Sequence, residues 1–307
     1  MREVFAVAAR WLDENRTFAL ATLVALRDAA TAPIGTTVAV DASGQVFGNV
    51  GAGCYESEII EACLATAADG VTRCLEVNLT SEDEVMGGIA CGAVMQLVAW
   101  RPARSFRDTA RAIASGERET ALRLEYDDAD SRVTFEHIFN PKQRLILVGA
   151  TALAAEIAAI ARRLDFSVVV VDPRPTFANS LRIPDASEIV RAWPDEYLPQ
   201  VLDARTPVIV LSHDPKFDLP ALRCALNSEA PYIGLLGSRR SQAARRSSLR
   251  AEGFDDAALA RIHGPAGLDL GGVSVAETAL SILAEVVATR RGGAGLPLAA
   301  SEGAIHR

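Results

Sequence analysis

Four short apolar runs punctuate the second half of the chain: RLILVGA (144–150), SVVVVD (167–172), TPVIVLSHD (206–214) and PYIGLLGS (231–238). None alternates apolar with polar residues, so each must be buried on both faces. ALAAEIAAIARRL (152–164) and VAETALSILAEVVATRR (275–291) carry apolar residues at helical spacing, the latter with cations in its last turn. Doubly buried strands joined by helices predict a parallel sheet covered on both sides. The expected fold is therefore a Rossmann-like domain over residues 143–307.

The first half reads differently. Residues 3–14 have Val4, Ala8, Trp11 and Leu12 on one helical face. TFALATLVAL, TTVAV and GQVFG follow as strands, then a helix over 55–68 with Ile59, Ile60, Cys63, Leu64 and Ala67 on its apolar side, then the strands VTRCLEVNL and AVMQLVAW. This predicts an α+β domain over residues 1–103. A polar helix and two strand-like stretches around an acidic turn, residues 104–142, are expected to form a connector or small subdomain. The fold class is thus α/β, an N-terminal α+β domain followed by a C-terminal parallel sheet.

The chain's 307 residues suit two cores better than one. A net charge of −8 gives no global attraction to nucleic acid or an anionic membrane. No apolar run is long enough to span a bilayer, and the amphipathic N-terminus lacks a secretory apolar region. A cytoplasmic location is expected. Five dispersed cysteines do not form a disulfide framework; they read as core thiols, ligands or nucleophiles.

Candidate sites cluster where strands end. After the first apolar run a dinucleotide fingerprint would place glycines at 149, 151 and 154, and the chain has Gly149, Thr151 and Ala154. Asp172 stands where an acid meets a ribose, so these residues leave open a sheet with or without NAD(P). His213 and Asp214 could be an acid–base pair, or Asp214 could simply cap a turn. Gly237, Ser238, Arg239 and Arg240 suggest a helix start able to hold an anion. Gly267 and Asp269 lie in the glycine-rich GPAGLDLGG (264–272). In GNVGAGCYESEI (48–59), Gly51 and Gly53 flank a turn that sets Cys54 at a helix start, where a thiol's pKa falls. Glu56 and Glu58 in that first turn oppose a bound phosphate. Cys91, beside Gly92 in GGIACGA, occupies a similar setting, and the two thiols could converge on one soft ligand. Cys63 and Cys74 fit buried core positions.

Taken together, ATLVALRDAATAPIGTTVAV, GNVGAGCYESEII, ACGAVMQLVAW, VVDPRPTFA (which contains Arg174), LSHDPKFD, YIGLLGSRR, GPAGLDLGG and VAETALSILAEV resemble the XdhC/CoxI family of accessory proteins for molybdenum hydroxylases, over nearly the whole chain. The resemblance implies a maturation factor more than a turnover enzyme. Such a factor binds the molybdenum cofactor, protects it during sulfuration and helps insert it into a hydroxylase client, with a cysteine desulfurase as a further partner. The family's cysteine motifs fall on Gly51, Gly53, Cys54 and Glu56 and on Cys91 and Gly92, with Cys54 and Cys91 as molybdenum or sulfur contacts. Thr151 and Ala152 replace the Gly and His common in the family's first Rossmann turn, and Ala93 replaces a glycine. An NAD(P)-binding oxidoreductase is the alternative. Apolar faces on the first sheet and the last helix suggest a homo-oligomer.

Overall fold

The computed structural model describes residues 1–27, 32–50, 56–78, 94–128 and 131–300. The chain divides into two compact units, residues 1–141 and 142–307.

In the first unit, α1 (Arg2–Asp13) precedes the strands β1 (Phe18–Arg27), β2 (Thr37–Asp41), β3 (Val46–Phe47), β4 (Arg73–Asn78) and β5 (Val94–Trp100), with α2 (Glu56–Asp69) between β3 and β4. They form one antiparallel sheet in the order β3-β2-β1-β5-β4. The central strand β1 is buried on both sides. Phe18, Leu20 and Val24 face α1, while Ala19, Ala21 and Leu23 face α2, the period of two expected of a strand.

Of the segment 104–142, expected as a connector or small subdomain, residues 104–141 belong to this unit. Helix α3 (Phe106–Ser115) and the hairpin of β6 (Thr120–Asp128) and β7 (Ser131–Phe139) contribute Ala110, Ile113, Leu122, Leu124 and Tyr126 to the cluster that holds Phe5, Trp11 and Trp100. The polar look of α3 reflects a narrow buried stripe, with only Ala110 and Ile113 buried.

The second unit contains β8 (Gln143–Val148), α4 (Ala152–Arg163), β9 (Phe166–Val171), β10 (Glu188–Val190), α5 (Pro194–Tyr197), β11 (Val208–Val210), α6 (Pro215–Leu226), β12 (Ile233–Leu235), α7 (Arg239–Ala251), α8 (Asp256–Ala260), β13 (Ile262–His263) and α9 (Val275–Arg291). Its six strands are all parallel, in the order β10-β9-β8-β11-β12-β13. Helices α4 and α9 pack on one face and α6, α7 and α8 on the other. The strand order reverses between β8 and β11, and ligands of such sheets lie outside the C-terminal strand ends around that point. The turns after β8, β9, β11, β12 and β13 therefore form the edge that a ligand would meet.

Candidate functional site

The turn after β8 is closed on itself. The Gly149 N–H donates to Val171 O (2.9 Å), Ala150 N–H to Asp172 Oδ2 (2.8 Å), Thr151 N–H to Gly149 O (3.0 Å) and Ala154 N–H to the Thr151 hydroxyl (3.2 Å). Gly149 has φ +107°, and a Cβ there would lie 3.1 Å from the Ser212 nitrogen. The glycine thus lets the β8 and β11 turns come close, while Thr151 stands where a dinucleotide fingerprint has its second glycine.

Asp172 is also engaged. It is 2% exposed and accepts from Arg174 N–H (2.9 Å), Arg174 Nε (2.9 Å) and an Arg174 terminal nitrogen (2.7 Å). Burial pushes its carboxyl up, but the bonds from Arg174 and Ala150 outweigh this and hold it below the usual carboxylate range. Arg174 in turn lies over the rings of Phe177 (4.4 Å) and Phe217 (5.1 Å), and Phe217 stacks on Trp193 (5.0 Å). A ribose would have to displace this arginine. The NAD(P) alternative is therefore disfavoured: the fingerprint's second glycine is Thr151 and the ribose acceptor is bonded within the protein.

After β11, the Asp214 carboxylate caps α6 by accepting from Lys216 N–H (3.0 Å), and His213 is an exposed residue. The buried polar group here is Asp218, fully inside, which accepts from the Ser212 hydroxyl and from Arg245 Nε (2.7 Å) on α7. Burial pushes the Asp218 carboxyl above its usual range despite these two donors. The pair clamps α7 against the β11 turn.

That clamp positions the start of α7. Ser238 caps it by accepting from Ser241 N–H (3.2 Å), and Gly237 enters at φ +130°, where a side chain would be strained. Arg239 and Arg240 are exposed in its first turn, which contains no acid. By contrast α6 opens with Asp214 and Asp218, and Glu277 folds back onto Val273 N–H (2.9 Å) and Ser274 N–H (2.8 Å) at the start of α9. Among these helix starts, that of α7 is the one electrostatically suited to an anion.

The glycine-rich stretch 264–272 leaves β13 and runs along α9. Its root is pinned: Gly267 N–H donates to Glu285 Oε2 (2.7 Å) and Leu268 N–H to Ser281 O (3.2 Å). Asp269 lies further along, exposed.

In the first unit, Glu56 is exposed at the start of α2, beside a hollow lined by Val38, Gly48, Val50 and Ile59. Gly51, Gly53, Cys54, Cys91 and Gly92 lie outside the described residues. Cys63 is fully buried, and burial pushes its thiol up to about 12; Cys74 is half-buried and also raised. Neither is a ready thiolate. Among the described residues no group of three His, Cys, Asp or Glu side chains could hold a metal ion.

Sequence reading had no means of finding Ser212, Asp218, Arg245, Tyr232, His263 or Glu285. Their roles depend on partners 6 to 53 positions away, and no local pattern encodes such choices.

The second unit is thus a Rossmann-like domain whose acid after β9 is bonded to Arg174 and Ala150 and whose α7 start carries two exposed arginines. The family model described as the XdhC Rossmann domain matches residues 145–286, and the XdhC and CoxI family model matches residues 11–78. The chain belongs to the XdhC and CoxI family. It is 23% identical to a probable xanthine dehydrogenase subunit of Bacillus subtilis (strain 168), over 91% of this chain and 95% of that one. It is 26% identical to the molybdenum cofactor insertion chaperone PaoD of Escherichia coli (strain K12), over 94% of this chain and 88% of PaoD. A crystal structure of a xanthine dehydrogenase from Bacillus halodurans has the same fold, with TM-score 0.75 and 21% identity over 97% of this chain and 98% of that one.

Proposed function

We propose that the protein is a maturation factor that binds the molybdenum cofactor and assists its sulfuration and insertion into a molybdenum hydroxylase of the xanthine dehydrogenase or CO dehydrogenase type. The observation that carries this reading is the match, along nearly the whole chain, to a relative named as a molybdenum cofactor insertion chaperone. Thr151 at the second fingerprint position and the Asp172–Arg174 pairing favour it over an oxidoreductase.

The described residues fit the organic part of such a cofactor. The α7 start, with Ser238 as cap and Arg239 and Arg240 beside it, suits a phosphate. Gly237, Gly267 and Asp269 line the adjoining turns of the same edge. When bound, the cofactor supplies a molybdenum centre whose terminal ligand is exchanged. Cys54 and Cys91, on which the family's two cysteine motifs fall, are proposed separately as molybdenum or sulfur contacts. Asp172, Arg174, Gly149 and Asp214 act here as the scaffold of the edge, each already bonded within the protein. The remaining parts of this reading are a hydroxylase client, a cysteine desulfurase that supplies the sulfur, a homo-oligomeric state and a cytoplasmic setting. No helix among the described residues is long and apolar enough to cross a membrane.

The test is direct. Molybdenum cofactor released anaerobically from a purified hydroxylase is mixed with the protein and the complex is isolated. A stoichiometric complex is expected, with uptake reduced in Cys54→Ala and Cys91→Ala. Wild-type uptake by both variants would remove the thiols from the site, and no uptake by the parent protein would end the reading itself.

A further inference from the structure

One carboxylate at the outer end of the sheet gathers three donors. Glu285 on α9 accepts from the Tyr232 hydroxyl (2.6 Å), from Gly267 N–H (2.7 Å) and from His263 Nδ1 (2.9 Å). Burial pushes the Glu285 carboxyl up, but these bonds outweigh it and hold it below the usual range, so it is ionised at neutral pH. Burial and the neighbouring carboxylate push the Tyr232 phenol far up, so its hydroxyl keeps its proton and donates.

The arrangement fixes the imidazole. An ionised carboxylate accepts, so in the neutral ring His263 Nδ1 carries the hydrogen and Nε2 carries the lone pair. One face of the ring lies against Tyr232, at 4.4 Å between centroids, and the Nδ1 side lies against Glu285. Yet the His263 side chain is 32% exposed. Nε2 is not among the buried unpartnered polar atoms of the described residues, so it belongs to the part of the ring that solvent reaches. His263 is also the last residue of β13, at the C-terminal sheet edge where ligands bind, and the glycine-rich stretch begins at the next residue. The same Glu285 that orients the ring anchors that stretch through Gly267, so ring and backbone are held in one geometry. A pairing needed only to tie β13 to α9 gives no reason for an open, oriented acceptor at this position.

The geometry points to His263 as a ligand-binding residue: its Nε2 accepts a hydrogen bond from an N–H or O–H of a flat heterocycle lying along residues 264–272, with Glu285 as the positioning residue. A pterin, whose ring edge is rich in N–H donors, is the class that meets this acceptor. The inference rests on the cofactor-handling reading above, which supplies the pterin.

Two substitutions separate the roles. In His263→Asn the side-chain amide can still donate to Glu285, but nothing stands at the Nε2 position. In His263→Gln an oxygen can reach the Nε2 position while the Glu285 bond is lost. With released molybdenum cofactor as the probe, His263→Asn is expected to keep the thermal midpoint and bind about fivefold to tenfold more weakly, the size of one hydrogen bond. His263→Gln should recover part of that affinity. In ¹⁵N spectra of the wild-type protein, taken where the imidazole is neutral, His263 should show a protonated Nδ1 and a bare Nε2. Cofactor uptake should shift the Nε2 resonance. An Asn variant that binds as tightly as wild type, or an Nε2 resonance unmoved by uptake, overturns this inference and leaves the chaperone reading standing. If the wild-type protein takes up no cofactor, both fall.

Discussion

At the scale of single residues, Asp172 carries the clearest expectation. Its carboxylate satisfies four donors, one of them the Ala150 N–H inside the β8 turn. Asp172→Ala leaves that N–H buried without an acceptor and frees a guanidinium between two phenylalanine rings. A loss of about 2 kcal/mol in denaturant unfolding is expected, discounted from the cost of a fully buried pair because Arg174 is partly exposed. The carboxyl's folded-state pKa is lowered, so its contribution is present above the ordinary carboxylate pKa and is lost as pH falls through the folded value. Stability measured from pH 7 down to pH 3 should fall less steeply in Asp172→Asn than in wild type; parallel curves would show that the carboxylate contributes nothing. Asp172 illustrates the limit of reading residues alone. Its position at a strand end was legible, but whether it faces a ribose or its own Arg174 depends on a contact the sequence does not spell out.

At the scale of elements, the strongly patterned segments were legible, as were the short β3, β11 and β12, but β10 and β13 were not. β8, β9 and α9 follow from apolar runs and helical spacing because burial on two faces, or along one stripe, leaves little choice of residue. β10 and β13 have three and two residues, and β10 reads Glu-Ile-Val. They exist because neighbouring strands offer them a partner, a fact of tertiary context. Helix α6 begins with a proline and contains another, which hides its periodicity. The placement of α7 against α6 rests on the Asp218–Arg245 pair, with side chains 0% and 8% exposed. Arg245→Met should cost roughly 3–5 kcal/mol, since it leaves Asp218 buried and unpaired. A double variant, Asp218→Leu with Arg245→Met, should regain much of that loss. A thermodynamic double-mutant cycle checks this, and additive losses would mean that the two side chains do not act as a pair.

At the scale of the whole molecule, each unit has its own core, two apolar clusters lining the two faces of each sheet. A fragment covering residues 142–307 is expected to unfold cooperatively by circular dichroism in the absence of the first unit; a non-cooperative melt would contradict this. Equally, calorimetry of the full chain at millimolar NAD(P) should register no heat of binding. The reason bears on how such a protein could change its ligand. Replacing Thr151 with glycine repairs the fingerprint on paper, yet Ala150 N–H would still face Asp172, Arg174 would still lie across the acid, and the β11 turn would still abut Gly149. Each of these contacts would have to be undone separately, at the loss of a satisfied buried bond or a close packing contact. Nicotinamide binding would therefore require several coordinated substitutions around the turn after β8, so that turn holds the domain to its present use more firmly than any one residue does.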